Sequence, residues 1–201
     1  MNIKLLHLYP EAMSLYGEYA NLTLLRRYLT WRGAQVEIQT VGCDDAPNFA
    51  GADLIYRGAG TERTQKAALG WLTPYKDALK EAAEHSLVLF TGNAVELLGA
   101  SITDQKGTVY EGLGFGGFAT VETDKRVPHD AIAKTGLFPE PVVGFMNKCS
   151  HTSGVETPIF EAMTMGMGNE KEGGPEGFRH GNVVGTHITG PVLVKNPAFL
   201  A

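Results

Sequence analysis

Cleaving an amide or ester at neutral pH takes an activated nucleophile and a base that moves its proton. This chain has few candidates for either. Its only cysteines are Cys43 and Cys149. Cys149-Ser150-His151 sets a thiol and an imidazole two residues apart, a spacing that forms a nucleophile–base pair if the backbone bends between them. The same residues also read as a buried, inert thiol near a partly exposed histidine. Cys43 precedes Asp44 and Asp45, and nearby carboxylates raise a thiol pKa and lower its reactivity. Two cysteines without C-x-x-C spacing indicate neither a disulfide scaffold nor a zinc site. His7, His85, His129 and His180 share no ligand spacing, so no metal and no cofactor is implied. Two glycine turns complete the set. Gly58-Ala59-Gly60-Thr61-Glu62-Arg63 and Thr91-Gly92-Asn93 each follow an apolar run. Strand, sharp turn and helix is the geometry of a nucleophile elbow, whose tip residue sits where backbone N–H groups stabilise an anion. Any strand-to-helix turn in a parallel sheet also favours glycine, and the Gly92 tip carries no side chain.

The elements that must position these residues alternate through the first half. Ile3–Tyr9 is short and apolar, fit for a buried strand. Glu18–Arg32 spaces Leu22, Leu25, Tyr28, Leu29 and Trp31 near helical period, and Gly33 ends it as a C-cap glycine. Gln35–Val41 and Ala52–Tyr56 read as strands, Thr64–Trp71 and Pro74–His85 as helices, and Leu87–Phe90 as a strand leading into a short helix that ends at Leu98. Strands alternating with helices imply a parallel sheet with right-handed crossovers. In such sheets ligands bind at the carboxyl ends of the strands, where both glycine turns fall. The second half changes character: Tyr110–Gly117, Phe118–Thr123, Val142–Met146, Glu161–Met167 and Asn182–His187 read as short strands, partly antiparallel. Met163, Met165 and Met167 read as one packed strand face, Gly166–Gly177 as a surface loop, and the C-terminus shows no clear element. No repeat, linker or low-complexity tract divides the chain, so residues 1–201 read as one domain.

Composition bounds the function classes. The 201 residues are 43% hydrophobic and 19% charged, which excludes disorder. A balance of 17 basic against 22 acidic residues, net −5, leaves no electrostatic footprint for nucleic acid or anionic membranes. No run reaches the roughly 18 apolar residues of a membrane span, and the start lacks a signal-peptide pattern, so a cytoplasmic protein is expected.

Leu6-His7-Leu8-Tyr9-Pro10, Leu15-Tyr16-Gly17, Asn21, Leu25-Arg26-Arg27, Gly58–Gln65, Glu96-Leu97-Leu98-Gly99, Glu111-Gly112-Leu113-Gly114, Gly144-Phe145-x-Asn147, Gly181–Thr186 and Gly190–Pro197 together resemble, in collinear order, the cobyric-acid-synthase-type (CobB/CobQ-like) class I glutamine amidotransferases. The resemblance is greatest to the branch holding the glutaminase subunits of lipid II isoglutaminyl synthase, which work with a Mur-ligase-like, ATP-dependent synthetase. It implies an α/β fold of the class I glutamine amidotransferase type: a flavodoxin-like three-layer sandwich with a mostly parallel central sheet and antiparallel additions. It also implies glutamine or another amide-bearing small molecule as ligand, and peptidoglycan-precursor or cobyrinate-type amidation as the setting.

In that family the elbow reads Cys-Gly-Gly-Tyr-Gln-Leu-Leu-Gly. Anchored on Glu96–Gly99, the nucleophile position falls on Gly92, and the family histidine, which precedes Gly-Pro, falls on Thr189. His187 lies two residues away and, on a strand, faces the same side. Arg126 matches an arginine placed near substrate, able to pair with a carboxylate. The Asn93 N–H and the Gly58–Gly60 backbone remain as oxyanion donors. The expectation is a glutaminase-like subunit without the Cys/His pair, with Gly58, Gly60, Asn93, Arg126 and His187 as ligand-binding residues. Two alternatives stand beside it: a working hydrolase using Cys149 and His151, and a stand-alone small-molecule binding protein.

Overall fold

The computed structural model describes residues 1–200. Strand β1 (Asn2–Leu8) leads through a 3-10 turn to helix α1 (Tyr19–Trp31), followed by β2 (Gln35–Val41), β3 (Leu54–Arg57), α2 (Glu62–Leu72), α3 (Lys76–Ala82) and β4 (Leu87–Thr91). A 3-10 helix, Gly92–Leu98, then enters a second set of strands: β5 (Ser101–Thr103), β6 (Val109–Glu111), β7 (Ala119–Lys134), β8 (Val142–Ser153) and β9 (Ala162–Met165). The chain returns to the first sheet with β10 (Phe178–His180) and β11 (Val183–Thr186), then closes with short helices α4 (Val192–Lys195) and α5 (Pro197–Leu200).

The first sheet runs β10-β11-β4-β3-β1-β2, parallel except for β10. Its inner strand β3 is buried along its whole length, as expected for a parallel strand covered on both faces. On one face Leu6, Leu8, Ile55 and Phe90 meet Leu69, Leu72 and Leu79 of α2 and α3. On the other, Leu5, Tyr56 and Leu89 pack with Leu22 of α1 and with Ala131 and Met146 of the second sheet, so one apolar layer joins the two sheets. The second sheet runs β6-β5-β7-β8 with β9 also on β7, and is antiparallel apart from the β5–β7 pair. This is the α/β architecture of a mostly parallel central sheet with antiparallel additions.

Several local readings are corrected. The run from Phe118 does not stop at Thr123: β7 continues for 16 residues, through Pro128. The polar stretch Asp124-Lys125-Arg126 and the proline suggest a break, but a register shift between Glu122 and Val127 takes only the bulged residues out of the ladder, and pairing resumes beyond it. β8 likewise runs to Ser153, well past Met146. β6 is the three residues Val109–Glu111, so only Tyr110 and Glu111 of the expected Tyr110–Gly117 strand lie in it. Trp31 faces solvent at 80% exposure, outside the apolar stripe of α1. The methionines do not share one packed face: Met163 is buried and Met165 is 44% exposed, because the ladder shifts by a residue between Ile132 and Ala133. Gly166–Gly177 is not simply a surface loop, since Asn169 and Glu176 are buried. β10 and both C-terminal helices carry too few residues to show a period.

Candidate functional site

The carboxyl ends of β3, β4 and β11 meet at one cleft of about 180 Å³, roofed by β7 and β8. Its lining includes Gly60, Glu62, Gly92, Asn93, Glu96, Arg126, Cys149, Ser150, His187 and Thr189. The site residues named from the sequence therefore converge here, His151 and Gly58 excepted.

The floor is made by the two glycine turns. Gly92 adopts φ +62° between the end of β4 and the 3-10 helix, the conformation that a sharp elbow demands and glycine tolerates. Asn93 turns its side chain onto the facing turn: Gly60 N–H donates to Asn93 Oδ1 at 3.0 Å, and Asn93 Nδ2 donates to the Gly60 carbonyl at 2.9 Å. The Gly60 N–H, expected as an oxyanion donor, is thus already engaged. Ala59 lies directly against Gly92.

The roof carries the thiol. Cys149 lies on β8 opposite the bulge, between the pairs Glu122↔Ser150 and Val127↔Lys148, and the bulged segment swings Arg126 over it. Cys149 Sγ donates to Glu62 Oε1 at 3.0 Å, and Arg126 Nη2 reaches the same oxygen at 2.6 Å and the sulfur at 3.4 Å. Burial first, then the Glu62 hydrogen bond and charge, push the thiol up to about 12. His151 is not beside it: its ring meets the Glu170 carbonyl at 3.0 Å and lines a different, outer groove with Lys125 and His129. Cys43 is held up at about 11, chiefly by burial and then by Glu11, which ranks ahead of Asp44.

Thr189 and Gly190 follow β11. An antiparallel backbone pair with Phe145 pins Thr189, N–H to O at 2.8 Å and O to N–H at 3.1 Å. Its hydroxyl donates to the carboxylate of Glu18, a fully buried residue at the start of α1. Glu18 also accepts from the Thr91 hydroxyl, from the Tyr56 hydroxyl at 3.0 Å and from the Gly190 N–H at 3.1 Å. Burial raises its pKa against these hydrogen bonds. A buried carboxylate therefore stands behind position 189, placed as one that orients a side chain there.

His187 lies one residue past β11, at the inner end of the cleft. Its Nδ1 is 2.9 Å from Glu176 Oε1, which also accepts the His187 backbone N–H at 2.8 Å, while Thr186 Oγ1 holds the other oxygen at 2.6 Å. Nε2 stands 3.4 Å from Glu96 Oε1, within ion-pair range but not aligned as a hydrogen bond. Glu96 in turn accepts from Ser150 at 2.5 Å and from Gln65 at 2.6 Å. Burial alone would raise the Glu96 carboxyl; contact with His187, Ser150 and Gln65 outweighs it and holds the group low. Lys148 donates to the carbonyls of Gly168 and Asn169 at 3.0 and 2.8 Å, and burial lowers it to about 8.

Sequence reading missed Glu18, Ala59, Glu62, Glu96, Ser150 and Glu176. Glu96 had a signal, a lone charge inside Ala94-Val95-Glu96-Leu97-Leu98 that burial must pair. Ala59, Glu62 and Ser150 lie inside the two segments singled out but carry no role there, and Glu18 and Glu176 had no signal, because their partners are fixed only by the fold. Among the described residues no His, Cys, Asp and Glu cluster is placed to hold a metal ion, and no helix is long and apolar enough to cross a membrane.

The mixed α/β architecture with a largely parallel sheet is that of the class I glutamine amidotransferase-like proteins. Within that class the chain belongs to the CobB/CobQ-like glutamine amidotransferase domain family, which matches residues 4–197. It is similar to the lipid II isoglutaminyl synthase (glutamine-hydrolyzing) subunit GatD of Staphylococcus aureus strain N315, at 29% identity over 191 residues, 94% of this chain and 78% of the relative. The protein of that name from Streptococcus pneumoniae strain R6 is 28% identical over 198 residues, 96% of this chain and 76% of the relative.

Proposed function

We propose that this chain is a glutamine amidotransferase-like subunit without glutaminase chemistry of its own, which binds glutamine or another amide-bearing small molecule in the cleft. It serves beside an ATP-dependent, Mur-ligase-like synthetase in amidating a cell-wall precursor or a cobyrinate-type substrate. The similarity to glutamine-hydrolyzing subunits of lipid II isoglutaminyl synthase favours the cell-wall setting.

One observation supports the reading: the elbow tip is Gly92, and the thiol lining the cleft, Cys149, is kept protonated by burial and by its hydrogen bond to the Glu62 carboxylate. Glutamine hydrolysis in this class needs a thiolate to attack the carboxamide and an imidazole to pass a proton to the departing ammonia. Removing the nucleophile of such a pair costs on the order of 10⁶ in turnover, about 8 kcal/mol of barrier. Backbone donors and binding alone leave only a residual acceleration, of order 10³–10⁴ over water. The ion pair Arg126–Glu62 at the cleft mouth offers both charges an amino-acid ligand would meet.

The test is ammonia release from glutamine by the purified chain, alone and with a candidate synthetase, alongside calorimetry with glutamine. The expected result is binding without ammonia above the buffer rate. Sustained release by the wild-type chain overturns the reading, and its loss in Cys149→Ser would transfer the role of nucleophile to Cys149.

A further inference from the structure

We propose that the two glycine turns on the cleft floor have become a closed structural joint, in which Ala59 bars any side chain from position 92. A Cβ built on Gly92 stands 2.4 Å from the Ala59 Cβ and 3.2 Å from its Cα. Carbon atoms in contact keep about 3.5–4.0 Å, so the first of these approaches is a clash between two atoms that cannot rotate away. A φ of +62° adds strain for every residue except glycine.

The facing turn has nowhere to retreat. The Ala59 carbonyl accepts the Leu15 N–H at 2.9 Å, and Gly60 is gripped by Asn93 through both its N–H and its carbonyl. Behind it, a Cβ on Gly60 would lie 2.2 Å from Met13 Sδ, so that side is filled too. Contact at Ala59 and the paired hydrogen bonds of Asn93 therefore close the joint from both sides. The elbow here has lost more than a sulfur: the space for any nucleophile's first carbon is occupied by a methyl group. A nucleophile can return to position 92 only after Ala59 has become glycine. The proposal rests on the preceding reading for the expectation that position 92 once carried a nucleophile; the steric claim rests on packing alone.

Thermal unfolding of Ala59→Gly, Gly92→Ala, Gly92→Cys and the double variants tests it. Gly92→Ala is expected to lower Tm by about 5 °C or more through overpacking and strain, and Ala59→Gly by about 2 °C through lost contact and added chain freedom. The double variant Ala59→Gly/Gly92→Ala should melt above Gly92→Ala, a marked departure from additivity. Gly92→Cys should follow the same pattern; if it does not fold alone, recovery of a folded chain in Ala59→Gly/Gly92→Cys gives the same result. Additive losses, or a Gly92→Ala variant that melts with the wild type, overturn the joint. Those outcomes leave the assay of ammonia release unaffected, and ammonia release by the wild type would leave the joint intact.

Discussion

The thiol of Cys149 and the carboxylate of Glu62 are joined by a 3.0 Å hydrogen bond that runs from sulfur to oxygen, and Arg126 closes on the same oxygen. The contact adds to burial, the larger cause, in keeping the thiol of the cleft protonated, because a carboxylate acceptor favours S–H over S⁻.

With its pKa at about 12, Cys149 is thiolate in roughly one molecule in 10⁴ at pH 8. Alkylation of the native protein by iodoacetamide at pH 8, followed by intact mass, should leave Cys149 unmodified over hours. Glu62→Gln removes the charged acceptor and should speed labelling several-fold, though burial still holds it below an ordinary thiol. Labelling of native Cys149 at the rate of free glutathione would show that the thiol is not held this way.

Lys148 offers a test through pH. Its folded pKa of about 8 lies below the ordinary lysine value of 10.5, so the unfolded chain binds the extra proton between those limits. Below pH 8 both states are protonated and the full penalty stands; as pH rises to 10.5 that penalty is relieved. A depression of this size is worth about 3 kcal/mol, partly offset by two hydrogen bonds of about 1 kcal/mol each. Lys148→Met should therefore raise Tm by about 3–5 °C at pH 7, with the advantage shrinking between pH 8 and 10.5. A pH-independent difference would place Lys148 in contact with water or an anion.

Arg57 is fully buried between the rings of Tyr9 and Phe90, 5.4 and 5.8 Å from their centroids, and Nε, Nη1 and Nη2 have no hydrogen-bond partner among the described residues. Burial depresses it to about 9. A buried charge lacking partners is often improved by an apolar residue of similar volume, by about 1–4 kcal/mol. Arg57→Met should raise the urea midpoint without changing the slope of the transition. A lower midpoint would mean that the guanidinium has an acceptor in solution.

Glu176→Ala removes the partner of the His187 ring, the His187 backbone and the Thr186 hydroxyl together. The expected loss is about 3–5 kcal/mol, read as a large drop in the urea midpoint. A loss below about 1 kcal/mol would show that water replaces the carboxylate readily.

The first sheet was legible because its signals are local. Short apolar runs, helical spacing from Leu22 to Leu29 and the Gly33 cap, at φ +91°, each act within a few residues. The second sheet was read poorly because its long strands carry polar and proline residues, and only pairing with a partner strand reveals that Thr123–Arg126 is a bulge. The site divides the same way. Gly58, Gly60, Gly92 and Asn93 announce themselves by their turns. Glu18, Glu96 and Glu176 converge on Thr189 and His187 from sites dispersed through the chain, and no spacing rule links them.

From the order of residues alone came the alternation that makes a parallel sheet, the two turns at its carboxyl edge and the absence of a thiol at the elbow, since these depend on short-range backbone preference and on residue identity. Folding decided the rest: that Cys149 meets a carboxylate and not His151, that His187 rests on Glu176, and that the methyl of Ala59 fills the space over Gly92. Such contacts join residues from 11 to 87 positions apart, and their distances exist only once the sheets have packed.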